Sequence, residues 1–187
     1  MEIEKKARIA KAVYEAAVGG APDGATRVDK RDAVFRNGGR DLRLRKIGVG
    51  TTYELSRKEK VFMNGGESNR EIETRMEIAD VDSFVDILEG TGVGLVYMKR
   101  KEGVSYYVSR SYEGHAYSLH VEVVNVSSGN GYSDYFVEIE YTGDCDVELS
   151  AEYVLGEIDG LIGGFEGAMV EPRPYIALIL GEASCRL

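Results

Sequence analysis

The sequence predicts a mainly β protein of α+β type: a single domain over residues 1–187, built on a closed or nearly closed eight-stranded antiparallel barrel with peripheral helices. Three observations predict it. Short segments alternate polar and apolar residues with period two, the signature of half-buried strands. Glycine-rich turns separate them, among them Asn37-Gly38-Gly39 and Asn64-Gly65-Gly66. The gaps between most segments are too short for the crossover helix that parallel neighbours need.

Taken in order, Glu2 to Ile9 alternates, with Glu2, Glu4, Lys6 and Arg8 on one face. Ala10 to Val18 is alanine-rich without alternation and predicts a helix. Gly19 to Gly24, with Pro22 inside, is a loop. Arg27 to Phe35 is a weak strand. Leu42 to Lys46 is a clearer one that puts Arg43 and Arg45 on one face. Thr51 to Lys58 aligns Glu54, Ser56 and Lys58, and Glu71 to Glu77 aligns Glu71, Glu73, Arg75 and Glu77. Asp80 reads as a helix N-cap, with Phe84, Ile87 and Leu88 at helical spacing and Gly90 as the stop. Leu95 to Lys101, Val104 to Ser109, His115 to Val126 and Asp134 to Tyr141 read as further strands. Asp144 to Leu149 either closes the last of these or opens a helix. Ala151 to Phe165 predicts a helix interrupted by glycine, and Tyr175 to Leu180 is apolar with no resolved type.

Composition narrows the function. With 23 basic against 32 acidic residues, the formal net charge of −9 argues against a broad nucleic-acid-binding surface. Cys145, Cys185, His115 and His120 are the only cysteines and histidines and are scattered, which disfavours both a thiolate–imidazole zinc cluster and a disulfide framework. No apolar run follows the first residues and none approaches the roughly 18 residues of a membrane span, so a cytoplasmic protein is expected.

The chemistry lies in the charge pattern. Same-face ionisable pairs recur on the predicted strands: Glu2/Glu4, Arg43/Arg45, Glu71/Glu73, His120/Glu122 and Glu138/Glu140. Same-face neighbours on a strand lie about 6.5–7 Å apart. Two carboxylates at that spacing repel unless a cation joins them, and carboxylate oxygens suit magnesium or manganese. Arginine forks suit phosphate. The competing reading is that these faces are simply solvated exterior.

The same residues carry a family resemblance. Glu2-Ile3-Glu4-Lys5-Lys6 resembles the N-terminal Glu-x-Glu-x-Lys signature of the CYTH superfamily, the triphosphate tunnel metalloenzymes, which include class IV adenylate cyclases and thiamine triphosphatases. Further segments follow in the expected order: Leu42-Arg43-Leu44-Arg45, Leu55-Ser56-Arg57-Lys58, Arg70-Glu71-Ile72-Glu73, Lys99-Arg100-Lys101, Glu122-Val123-Val124, Phe136-Val137-Glu138-Ile139-Glu140 and Pro174-Tyr175-Ile176-Ala177-Leu178. The resemblance implies that the charged faces look inward onto one tunnel. It implies Glu2, Glu4, Glu138 and Glu140 as ligands of Mg2+ or Mn2+. Lys6, Arg43, Arg45, Lys58, Arg75 and Lys99 are the phosphate-binding candidates, and Lys6, Glu73 and Glu122 the catalytic ones. The chain departs from the cyclase-like members at Glu122, where they carry Asp, at Ser133-Asp134-Tyr135, and at Pro174. The expected function is therefore metal-dependent hydrolysis of a triphosphate or other phosphoanhydride, with ATP, thiamine triphosphate and inorganic triphosphate as possible partners. A cyclase forming 3',5'-cyclic AMP and a non-catalytic polyphosphate or nucleotide binder are the alternatives, and a homodimer stays open.

Overall fold

The structure is a computed structural model that describes residues 3–37, 40–47, 50–63 and 66–181, and within these leaves out the side chains of residues 37, 40, 58–63 and 66–71. Its elements in chain order are β1 (Ile3–Arg8), α1 (Lys11–Gly19), β2 (Thr26–Asn37), β3 (Arg40–Lys46), β4 (Thr52–Met63), β5 (Gly66–Glu77), α2 (Val81–Gly90), β6 (Gly94–Tyr112), β7 (His115–Ser128), β8 (Ser133–Tyr141), α3 (Ala151–Ile162), β9 (Met169–Val170) and α4 (Tyr175–Leu180). The strands form one antiparallel sheet in the order β5-β4-β3-β2-β6-β7-β8-β1-β9. The expected barrel had eight strands; among the described residues there are nine, and no ladder joins β5 to β9, so closure is not seen there. The extra strand, β9, is only two residues long and pairs with Ala7 and Arg8. Among the described residues no helix is long and apolar enough to cross a membrane.

Two expected strands, Leu95 to Lys101 and Val104 to Ser109, are one 19-residue strand. Gly103 between them marks a close approach of backbones rather than a turn. A Cβ placed there would lie 2.0 Å from the Val123 carbonyl oxygen on the neighbouring strand. Gly103→Ala should therefore displace one of the two strands and cost about 1–3 kcal/mol or more, measured as a lower urea midpoint. The real reversal is at Glu113 and Gly114, both at positive φ (50° and 87°), the conformation of a two-residue hairpin turn.

Helix α2 begins at the cap expected at Asp80, and α3 begins at a side-chain cap as well. The Asp80 carboxylate accepts from the backbone N–H of Asp82 and Ser83, each at 3.1 Å. At α3 the Ser150 hydroxyl accepts from the Tyr153 N–H. Asp144 to Leu149 belongs to neither strand nor helix, and the unassigned Tyr175 to Leu180 segment is helix α4.

The chain divides into two compact units. The first comprises Met1–Val28, Lys101–Val126 and Ser133–Pro172; the second comprises Asp29–Arg100, Ser127–Tyr132 and Arg173–Leu187. In the first unit, alternation sends Ala7, Leu119, Val121, Val123, Val137 and Ile139 into a core with Val154, Ile158 and Ile162 of α3. In the second, Phe35 and Leu44 form a core with Ile78 and Val93, against which Val81, Phe84, Val85 and Leu88 of α2 pack. Each core uses one side chain of every two along its strands. The alternate residues stand on the opposite face, where charged side chains are interspersed with buried apolar ones such as Val124 and Phe136.

Candidate functional site

In the first unit the opposite face is built on the β1–β8 ladder. Glu4 is directly opposite Glu140, Lys6 opposite Glu138 and Arg8 opposite Phe136. Such cross-strand partners have their Cβ atoms about 4.5–5.5 Å apart, so Glu4 and Glu140 form a like-charge pair that a cation would relieve. Glu4 is exposed and Glu140 half-buried, with His120 Nδ1 3.7 Å from Glu140 Oε2. Deeper on this face, Glu122 and Glu138 are buried, and so is Lys101. The Lys101 ammonium donates to Glu138 and lies 3.6 Å from Glu122. Burial opposes the charge on Lys101, but Glu138, Glu122 and Glu4 outweigh it and hold the ammonium above the usual lysine range.

Lys6 behaves in the opposite way. Burial lowers its pKa, and the opposing pull of Glu138, Glu4 and Glu171 does not restore it. Its ammonium stands 6.0 Å from the centre of the fully buried Phe136 ring. Beside it Arg8 donates to Asp134 and, at 3.0 Å, to the buried carboxylate of Glu171.

In the second unit the charged face runs across four strands as a row of alternating sign. The pairing sets Asp32 opposite Arg45, Arg45 opposite Glu54, and Glu54 opposite Arg75. Arg45 grips Asp32 with both arms of its fork, at 2.8 and 3.0 Å, and Lys99 lies 3.4 Å from the same carboxylate. Asp32 is 2 % exposed. Burial alone would raise its pKa, but the Arg45 hydrogen bonds and the charges of Lys99, Arg45 and Arg43 hold it well below the usual carboxylate range. In the adjacent row Arg43 sits opposite Ser56 and reaches diagonally to Glu54 at 3.3 Å. The Lys99 ammonium also lies 4.7 Å above the Tyr175 ring of α4, a cation–π contact.

The predicted residues thus fall into two groups. Lys6, Glu4, Glu122, Glu138 and Glu140 come together in the first unit, and Arg43, Arg45 and Lys99 in the second. Arg75 shares the second face at its exposed margin, 3.8 Å from Glu54. Glu73 is exposed, opposite Ser56. Glu2 lies outside the described residues. Lys58 is opposite Glu71 in the β4–β5 register, and both side chains lie outside the described residues. Asp32, Lys101 and Glu171 were not among the expected site residues. Asp32 sits in a run of four charged residues, Asp29 to Asp32, where no single carboxylate stands out. Lys101 does carry a signal, since it shares a phase with Lys99.

Among the described residues no three of His, Cys, Asp and Glu converge as metal ligands. The donor chemistry fits an oxygen-seeking divalent ion at the Glu4/Glu140 pair, whereas Glu122 and Glu138 already share the Lys101 ammonium. A cavity of about 670 Å³ lined by Tyr14, Val18, Arg27, Asn125 and Tyr135, among others, contains none of the predicted site residues.

No protein-family model and no curated protein matches the sequence. Solved structures do match. PH1012 from Pyrococcus horikoshii OT3 superposes with a TM-score of 0.60 at 20 % identity, over 95 % of this chain and 99 % of that one. PH1819 from the same organism gives 0.63 at 19 % identity, over 97 % and 99 %. The conserved hypothetical protein Pfu-838710-001 from Pyrococcus furiosus gives 0.61 at 23 % identity, over 95 % and 99 %. At these identities the likeness is one of fold: the chain shares the architecture of these Pyrococcus proteins over nearly its whole length.

Proposed function

We propose that the chain is a divalent-metal-dependent hydrolase of a triphosphate or another phosphoanhydride, of the CYTH type. The observation that carries this reading is the charged face of the second unit. There Arg43, Arg45 and Lys99 gather on one side of the sheet, their charges met by Asp32 and Glu54. A solvated exterior has no need to sequester a carboxylate as Asp32 is sequestered. The Glu4/Glu140 pair, supported by the resemblance of the Glu-x-Glu-x-Lys segment, is the matching cation site.

In this scheme the metal ion, when bound, supplies the positive charge that balances the phosphate oxygens during transfer. Glu4 and Glu140, with Glu2, would hold it, and Glu138 would join them only by giving up its bond to Lys101. Arg43 and Arg45 would hold and orient the phosphates, Arg45 through the outer edge of its guanidinium that its bond to Asp32 does not use. Lys6, whose pKa burial lowers, would be the general base toward the attacking water. Glu122 keeps Lys101 in place.

Product analysis tests the reaction. Phosphorus NMR after incubation with ATP, thiamine triphosphate or inorganic triphosphate, with magnesium or manganese, should show orthophosphate. Pyrophosphate with a cyclic nucleotide would convert the proposal to a cyclase, and turnover of none of them would remove the enzymatic reading. Arg45→Lys tests the grip: lysine keeps the charge but loses the fork. It should weaken triphosphate binding roughly 10- to 100-fold at saturating magnesium, from the loss of one charge-assisted hydrogen bond. Equal affinities would remove Arg45 from the site.

A further inference from the structure

Ser56 is 2 % exposed, and its hydroxyl has no hydrogen-bond partner among the described residues. Folded proteins avoid this, because a buried hydroxyl that forfeits its bonds to water is a net cost. The position makes the orphan informative. Ser56 stands opposite Arg43 in the β3–β4 ladder and opposite Glu73 in the β4–β5 ladder. Its side chain therefore rises from the same face as Arg43, Arg45 and Glu54. The apolar alternative was open to the fold: alanine would fill the same place on the strand without stranding a polar atom.

Resting on the triphosphate reading, we propose that Ser56 is a ligand-binding residue whose hydroxyl donates to a phosphate oxygen of the anion gripped by Arg43 and Arg45. The surroundings select the polarity of the missing partner. Arg43, across the ladder, attracts an anion to this spot, and an anionic oxygen is an acceptor. A hydroxyl suits the role because it is a neutral donor. It adds a bond to the bound phosphate without adding a further cation that the empty site would have to neutralise. Glu54 meets the charge of Arg43 on this face, at 3.3 Å. The hydroxyl gains its partner only when the ligand arrives.

The ligand-free and ligand-bound forms of Ser56→Ala should respond in opposite directions. In urea without ligand, the midpoint should stay the same or rise, since the variant no longer buries an unsatisfied hydroxyl. In calorimetric titration with inorganic triphosphate at saturating magnesium, affinity should fall about 5- to 10-fold, the effect of one neutral hydrogen bond. Wild-type binding with an undiminished Ser56→Ala affinity would overturn the role of Ser56 and leave the arginine grip standing. A lowered midpoint without ligand would also overturn it, by showing that the hydroxyl is satisfied within the fold. No binding of triphosphate by the wild type would overturn the functional reading itself.

Discussion

Replacing Asp32 with alanine should lower the stability of the protein by about 3–5 kcal/mol, the cost of removing one partner from a buried ion pair. The size of the effect follows from what would be left behind. Arg45 spends both arms on Asp32, at 2.8 and 3.0 Å, and Lys99 approaches the same carboxylate at 3.4 Å. Their side chains are only 17 % and 10 % exposed, so water offers them little in compensation. Asp32→Ala combined with Arg45→Met should recover much of the loss, because a buried pair exchanged for apolar groups is often neutral. The acid limb of the stability curve gives a second measurement. The folded-state pKa of Asp32 lies below its ordinary value of 3.8, so its stabilisation is complete above that value and is lost as the pH falls toward the folded-state value. Stability of the wild type should therefore drop more steeply below about pH 4 than that of Asp32→Ala. Parallel acid limbs, or a loss under about 1 kcal/mol, would mean that the Asp32 carboxylate is solvated as a surface pair is.

This arrangement also shows where the sequence stops being legible. Period-two alternation assigns faces correctly. It sends Val137 and Ile139 to the core and Glu138 and Glu140 away from it, and it separates Leu42 and Leu44 from Arg43 and Arg45. What alternation does not carry is register between strands far apart in the chain. The Arg45–Asp32 bond joins a clear strand to the weakly patterned Arg27 to Phe35 segment. The Lys101–Glu138 contact spans 37 positions. Such pairings depend on which strands become neighbours and on a shift of single residues between them. Gly103 misleads for a related reason. Its neighbours read as a break because the feature that demands glycine, the Val123 carbonyl, belongs to another strand. The two residues of β9 are too few to set up any period.

Lys101→Met should be as costly as the loss of Asp32, about 3–5 kcal/mol, and the loss should be partly reversed by a divalent ion. Methionine fills nearly the same volume as the lysine stem, so packing is preserved and the missing quantity is charge. Glu122 and Glu138, 5 % and 6 % exposed, would then share a buried space without the ammonium that binds both. Lys6, opposite Glu138 in the ladder, supplies only part of the compensation because its own pKa is lowered by burial. Two carboxylates that have lost their cation are an oxygen-donor site for another one. Manganese should therefore stabilise Lys101→Met more than it stabilises the wild type, where the ammonium competes. Binding linkage sets the scale, about 2.7 kcal/mol when the ion is at a hundred times its dissociation constant. Thermal or urea unfolding of both proteins, with manganese and with a chelator, makes the comparison. Adding Glu138→Gln to Lys101→Met should raise stability in chelator and abolish the manganese response together, since the same carboxylate is the liability and the ligand. An unchanged manganese response in that double variant would take Glu138 out of the metal site and leave the ion to Glu4 and Glu140.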